Sequence, residues 1–425
     1  MTAHLALASA INNIPDSWEV TRFRFVARLR TERNTQGTAP LLSLSAAHGI
    51  QERDEGGLGR QAPSDGSIPT YWLVHPGDIV VNPMWLIEGG IAASNMFGAV
   101  SPAYRVYTPS SNADTRYLHH LLRSQPYLEQ YNQYIRGVTT FDRSVTKDDF
   151  HDLPVILPSL EEQRRIADFL DAETSRISHL STLCSQQISR LTERQISHLS
   201  QLQVELAESY GSLRLRYAIF RIEQGWSPQC EDRIVQDGEW GVIKAGCVNG
   251  GIFDPYQHKT LPSDVPPRTE YQLRPGDLLM SRASGSSDLI GSVGIVPDLR
   301  MKLLLCDKVY RITPDPTRVT TSFLAHMLRT HRVREHIKMG ISGAEGMANN
   351  LPVSTIKDCE IPAAPLEIQQ KVSRILDEMI VSHRKLTCAL EKQLSLLEER
   401  KRALITAAVT GQFDVSTASG RGIED

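Results

Sequence analysis

The chain has 425 residues, 40% of them hydrophobic and 22% charged, with a net charge of −3. This is the makeup of globular material, long enough for two or three domains, and no run approaches the roughly 20 uninterrupted apolar residues of a membrane span. Near-neutrality excludes a surface that is basic all over, while acidic helical faces can still offset a local basic cleft.

The N-terminal MTAHLALASAINNIPDSW has a short apolar run without a basic flank, so neither a secretion signal nor membrane contact is expected and the cytoplasm is the expected location. A first domain is expected over residues 1–158, with β-type runs such as Ile79–Val81 behind a Pro76-Gly77-Asp78 turn and a short helix from Thr115. Residues 159–211 read as one long helix opening on LEEQRRIADFL. A second mixed domain is expected over 212–365, with runs at Val293–Val296 and Val309–Ile312 and a short helix from Thr321. Residues 366–412 then read as another long helix. In it Val372, Ile375, Met379, Leu386, Leu390, Leu394, Leu397, Leu404 and Ala408 recur every three or four positions among charged residues. Pro158 and Pro365 sit just ahead of the helices, where proline is tolerated. Residues 413–425 read as a flexible tail. The six cysteines, Cys184, Cys230, Cys247, Cys306, Cys359 and Cys388, show no metal-type spacing and suit a reducing compartment.

The second half repeats the first. Leu160, Gln163, Leu170-Asp171 and Glu193-Arg194 fall on Leu366, Gln369, Leu376-Asp377 and Glu399-Arg400 at a constant offset of 206. Tyr104-Arg105-Val106 answers Tyr310-Arg311-Ile312 at the same offset, and TRYLHHLLRS from Thr115 answers TSFLAHMLRT from Thr321. His75-Pro76-Gly77-Asp78 answers Arg274-Pro275-Gly276-Asp277, and VTRFRFVARL from Val20 resembles LRLRYAIFRI from Leu213. Matches kept in order over most of each half mark a tandem duplication.

A helix of about 45 residues spans roughly 65 to 70 Å, too long for one domain core, so each long helix needs a partner and the nearest is its own copy. The expected fold is therefore mixed α/β: two similar globular domains separated by two long helices that pair as an antiparallel coiled coil about a pseudo-twofold axis. The residues expected to face one another are Ile166, Leu170, Ile177, Leu180 and Leu191 in the first helix, and Leu376, Leu386, Leu390, Leu397 and Leu404 in the second.

No catalytic signature emerges. Asn82-Pro83-Met84-Trp85 comes near the Asn-Pro-Pro-aromatic tetrapeptide of amino-methyltransferases, yet Met84 departs from it, no glycine-rich cofactor loop precedes it, and Ser281-Arg282 stand at the equivalent place in the second repeat. The glycines of Gly285–Gly294 match neither phosphate-loop pattern. Pro297-Asp298 lacks a nuclease partner outside the long helix, and no HExxH occurs. Neither a cofactor nor a metal is expected on this chain.

Candidate DNA contacts are read from residue chemistry. HMLRTHRVREHIKMGISGAEGMANNL gathers Arg329, Arg332, Arg334 and Lys338 on a short helix, followed by a glycine-rich loop and Asn349-Asn350. Arginine forks suit guanine edges and phosphates, and asparagine amides suit adenine. The alternative reading is a solvated helix face. Lys244, Lys259 and Arg282 lie near loop glycines in the same domain. Arg136, Arg143 and Lys147 form a weaker counterpart in the first domain, diluted by Asp142, Asp148 and Asp149.

The helix openings Pro158-Ser159-Leu160-Glu161-Glu162-Gln163 and Pro365-Leu366-Glu367-Ile368-Gln369, the ending Leu404-Ile405-Thr406-Ala407-Ala408-Val409-Thr410-Gly411, and Gly225-Trp226-Ser227-Pro228 with the later Pro275-Gly276-Asp277 resemble the specificity subunits of type I restriction-modification systems. The first helix lacks the Ala-Val-Thr-Gly ending, and Ile368 replaces the Glu of the first copy. The resemblance implies a noncatalytic, cytoplasmic DNA reader in host defence. Its two target-recognition domains would each bind half of a bipartite site on double-stranded DNA, with the helices as spacer. It further implies two methyltransferase subunits docked on the helices, carrying S-adenosylmethionine for adenine methylation, and motor-nuclease subunits for restriction. The readings set against it are a noncatalytic helical scaffold or orphan DNA-binding relative, and a methyltransferase or nuclease acting alone. With DNA rising 3.4 Å per base pair, one added turn in each long helix is expected to widen the recognised gap by roughly one to two base pairs.

Overall fold

Leu160–Tyr210 and Leu366–Val409 are unbroken helices of 51 and 44 residues. The computed structural model that shows them describes residues 4–46, 49–53, 65–135, 143–341 and 349–415. Both helices open with acidic side chains, Glu161 and Glu162 in one and Glu367 in the other, where the positive end of the helix dipole favours them. Gly211 and Gly411 follow their ends with φ of 78° and 73°, the left-handed turn that releases a chain from a helix.

The chain divides into two compact units: Met1–Cys184 with Lys392–Asp425, and Ser185–Glu391. Each long helix is thus shared between them.

In the first unit a four-stranded antiparallel sheet runs in the order Ala27–Leu29, Arg105–Pro109, Ile79–Val81, Ile91–Ala93. Glu19–Arg22 pairs with Pro154–Leu157, which ties the chain's entry into the head to its exit. The helix Thr115–Leu122 is capped by Asp114, whose carboxylate accepts the backbone N–H groups of Arg116 and Tyr117. Phe23 meets Tyr107 and Phe150 edge to face at the centre of the core. Ile166, Ala167 and Leu170 of the first long helix and Ala408 and Val409 of the second close it. Phe169 lies 5.5 Å from Phe413, ring to ring, and Lys401 Nζ donates to Ser178 Oγ at 3.1 Å. As one helix advances the other retreats, so the two run antiparallel here.

The second unit repeats the sheet in the same order: Ile219–Gln224, Val309–Pro314, Leu278–Ser281, Val293–Ile295. Ser212–Arg214 pairs with Glu360–Pro362, matching the entry-exit pair of the first head. A three-stranded sheet, His258–Thr260, Trp240–Ile243 and Lys302–Leu304, has its last two strands parallel. The core takes Leu206 from the last turns of the first long helix and Val372 and Leu376 from the first turns of the second, which is again antiparallel packing. The mixed α and β content, the repeated head and the antiparallel helices agree with the sequence reading.

Burial along the helices corrects one part of it. In the first helix Leu170, Thr174, Ile177, Ser181, Cys184, Ile188 and Leu191 form the covered stripe, and in the second Ile380, His383, Thr387, Leu390, Leu394, Leu397, Lys401, Leu404 and Ala408 do so. Steps of four and three alternate along both, the coiled-coil period. Leu180 and Leu386 lie off the stripe, 38% and 52% exposed. Each sits three residues past a stripe position from which the stripe steps four. Ile166, Leu170, Ile177, Leu376 and Leu397 are buried, and Leu191, Leu390 and Leu404 are half-buried.

Candidate nucleic-acid interface and its supports

Each head is pinned to its long helix by one buried glutamine. Gln163 Oε1 accepts the Asp114 N–H at 2.8 Å, while its Nε2 donates to the carbonyls of Asn112 at 3.0 Å and Pro158 at 2.8 Å. Gln369 does the same in the second unit, with Thr320 N–H at 2.9 Å and the carbonyls of Arg318 and Ala364 both at 2.8 Å. A histidine-carboxylate pair stands beside each pin. His120 Nε2 lies 2.8 Å from Asp171, and His326 Nε2 lies 2.9 Å from Asp377. The hydrogen bond from His120 holds the Asp171 carboxyl below its ordinary range. Burial, reinforced by the nearby Arg329 charge, pulls the His326 imidazole down.

Arg329, expected at a DNA-facing surface, belongs to this supporting layer instead. Its Nη2 donates to the carbonyls of Gly251 at 2.6 Å and Val293 at 3.3 Å, as Arg123 Nη1 donates to Gly89 and Ile91 at 3.1 and 3.0 Å in the first head. Burial lowers the pKa of both guanidinium groups. Arg334 is also turned inward: its Nη1 meets the Ile290 carbonyl at 2.6 Å and its Nη2 the Asp288 carbonyl at 2.7 Å. An arginine that satisfies loop carbonyls is a strut, because removing it leaves buried acceptors unpaired.

The other candidates fall into separate groups. Lys338 is tied to the Asp288 carboxylate at 3.0 Å, Arg332 to Glu360 at 2.8 Å, and Lys244 to Asp232 at 2.8 Å with Lys259 at 4.0 Å from the same carboxylate. Arg282, Asn349 and Asn350 are brought together. Ala283–Ser284 pairs antiparallel with Asn349–Asn350, and Leu351 N–H donates to the Arg282 carbonyl at 2.9 Å. Arg282 N–H in turn donates to the Lys308 carbonyl at 2.9 Å, placing exposed Lys308 next to the group. In the first head Arg143 is half-buried and Lys147 is exposed at the start of a helix capped by Thr146. Arg136 lies outside the described residues.

Sequence reasoning missed Lys308, the glutamine pins and the histidine-carboxylate pairs. The signal for the pins and the pairs was identity at the fixed offset, Gln163 with Gln369 and His120 with His326. It also missed a twin exposed feature: Phe25 and Tyr217 are 68% and 59% exposed, beside arginine pairs Arg22-Arg24 and Arg214-Arg216 clamped by Asp152 and Asp358.

The Asn82-Pro83-Met84-Trp85 turn does not present the acceptor pair that an amino-methyltransferase needs. The Pro83 carbonyl accepts Val145 N–H at 3.1 Å, and Asn82 Oδ1 accepts Met84 N–H at 3.2 Å. Among the described residues no group of three or more His, Cys, Asp or Glu converges as metal ligands would, and no helix is long and apolar enough to cross a membrane.

Residues 87–188 match the family model for the type I restriction modification DNA specificity domain. That match covers about a quarter of the chain. The matched window runs from the middle of the first head into its long helix, and so contains Asp114, His120, Gln163 and Asp171. The chain is similar to the specificity subunit of the type I restriction enzyme EcoEI of Escherichia coli, 26% identical over 175 residues, which cover 41% of this chain and 29% of that subunit. The chain thus spans less than a third of that relative's length. It is also similar to the specificity subunit of the StySPI enzyme of Salmonella potsdam, 21% identical over 336 residues, 75% of this chain and 69% of that one. A chain solved in work on assembly and conformational transition of the type I R-M system shares the fold, with a TM-score of 0.70 at 19% identity over 94% of this chain and 100% of that chain.

Proposed function

We propose that this chain is the noncatalytic DNA-specificity subunit of a cytoplasmic type I restriction-modification complex. One observation carries the reading: the same head occurs twice, with the same sheet order and the same glutamine pin to a long helix. Two like heads suit a bipartite target, each reading one half. In the second head, Asn349 and Asn350, laddered beside Arg282, supply amide groups suited to adenine edges, and Lys308 supplies a charge for phosphate. Lys147 and Arg143 serve the first head.

Two methyltransferase subunits, which carry the S-adenosylmethionine, dock on the long helices, and motor-nuclease subunits join them. Leu180 and Leu386, equivalent in the two repeats and both left uncovered, are the apolar anchors offered to those partners. Coexpression with cognate methyltransferase subunits, followed by mapping of methylated adenines, tests the whole reading. A two-part motif that appears only when this chain is present is expected, and methylation independent of the chain would sink it. Changing Leu180→Glu or Leu386→Glu is expected to lower bound methyltransferase subunits from two to one.

A further inference from the structure

The second head shows what is different about the first. Met280 pairs with Tyr310 where Val81 pairs with Arg105, and in the second head the Arg282 guanidinium lies over the Tyr310 ring, 5.9 Å from the centroid, held by the Asp307 carbonyl at 3.1 Å. The Tyr310 hydroxyl donates to the Leu351 carbonyl at 2.9 Å, and the ring is buried. In the first head Pro83 occupies the place of Arg282, and Trp85 that of Ser284. Beside Asn82 and Trp85 a cavity of about 740 Å³ opens, lined by these two with Tyr71, Tyr104, Ser43 and Gln51.

The size falls within the roughly 300 to 1,000 Å³ of small-ligand sites. Trp85 is 53% exposed, so part of its indole is open to a guest. The lining mixes hydroxyl and amide groups and the Arg53 side chain with apolar Leu42, Leu44 and Ala46, and its hydroxyl and amide groups would lack partners beside a purely apolar guest. Asn82 Oδ1 is already engaged by Met84 N–H, so the group it has left to offer is its NH₂, a donor for a ring nitrogen or carbonyl. Aromatic faces with a few edge donors are the chemistry that holds an unstacked base.

We propose that this cavity is a nucleobase site, stacking one base on Trp85 and reading its edge with Asn82. The base comes either from a free nucleotide or from a duplex in which it has been displaced; the second source rests on the DNA-reading function proposed above.

The test uses the full chain. One arm records saturation transfer from the protein to dAMP, dGMP, dCMP and dTMP. The other records 2-aminopurine fluorescence in duplexes that hold the probe opposite an abasic site or fully paired. Saturation of base protons, or quenching of the displaced 2-aminopurine, is expected. Trp85→Ala should weaken the effect about tenfold and Trp85→Phe much less, as stacking requires. A response in the first arm alone assigns a free nucleotide, and in the second alone a displaced base. No response in either, or an undiminished response in Trp85→Ala, overturns the site. If the chain binds duplex DNA yet Trp85→Ala changes nothing, this inference fails and the specificity reading stands; if mononucleotides bind but no duplex does, the reverse holds.

Discussion

The Asp114 backbone N–H donates to Gln163 Oε1 at 2.8 Å, where the first long helix leaves its head. The same amide also satisfies two carbonyls, so a single side chain fixes the cap of the short helix, the loop before it and Pro158 just ahead of the long helix. Fixing the head on a stiff element holds its exposed surface in one orientation, as the recognition role proposed for it would require.

Replacing Gln163 with Ala should destabilise the first unit by about 2 to 4 kcal/mol, since three backbone partners lose their bonds in a buried place. Gln163→Glu should cost a similar amount, because a carboxylate faces two carbonyls and cannot donate. Urea denaturation of each variant measures this, and a shift under about 0.5 kcal/mol would contradict the pin.

Acid should weaken the first head through His119. Its Nδ1 accepts the Ala93 N–H at 3.2 Å, which requires the neutral ring, and burial pulls its pKa from 6.5 to about 3. The unfolded chain takes up this proton near pH 6.5 and the folded chain only near 3, so the contribution is whole above pH 6.5 and is lost as pH falls toward 3. His119→Gln should flatten the dependence of the urea midpoint on pH between 6 and 4 by about one proton.

The helix register separates two neighbouring apolar residues. Ile177 is 2% exposed and Leu180 is 38% exposed. Ile177→Ala should cost about 2 to 4 kcal/mol, whereas Leu180→Ala should stay within about 0.5 kcal/mol. Thermal melts that reverse this order would place the packed face elsewhere.

Two cations of the second head should behave oppositely. Arg329→Ala should lower the melting temperature, because it orphans the Gly251 and Val293 carbonyls. Lys308→Ala should leave the melt unchanged, weaken duplex binding and reduce its salt slope by roughly one. Titrations at several salt concentrations distinguish them.

Gly225→Ala should prevent the second head from closing. A Cβ there would sit 1.9 Å from the Leu305 carbonyl oxygen. The backbone cannot retreat without breaking the bonds from Gly225 N–H to Cys306 and from Trp226 N–H to Leu305, at 3.2 and 3.0 Å. Loss of the cooperative unfolding transition for this unit is the expected readout.

The long helices and the doubled head were legible because identities at one offset and a three-four apolar rhythm need no tertiary knowledge. Finer features were not. Counting every third or fourth residue admits two phases, and Leu180 and Leu386 fell into the wrong one. Arg329 and Arg332 look alike as letters, yet one faces loop carbonyls and the other a surface carboxylate at 2.8 Å; the match of Arg329 to Arg123 in the repeat was the clue to the difference. Arg282 and the Asn349-Asn350 pair are joined by a two-residue ladder between segments far apart in the chain, a contact no local pattern announces. The histidines and glutamines were visible as identities, but identity alone does not say which polar groups meet.

The division of the chain has a consequence for its synthesis. Everything in Ser185–Glu391 leaves the ribosome before Lys392 does, whereas the first unit needs Ala408 and Val409 to close its core. The head translated first is therefore the last to mature, and until the final helical turns emerge it presents an open apolar flank to chaperones and proteases.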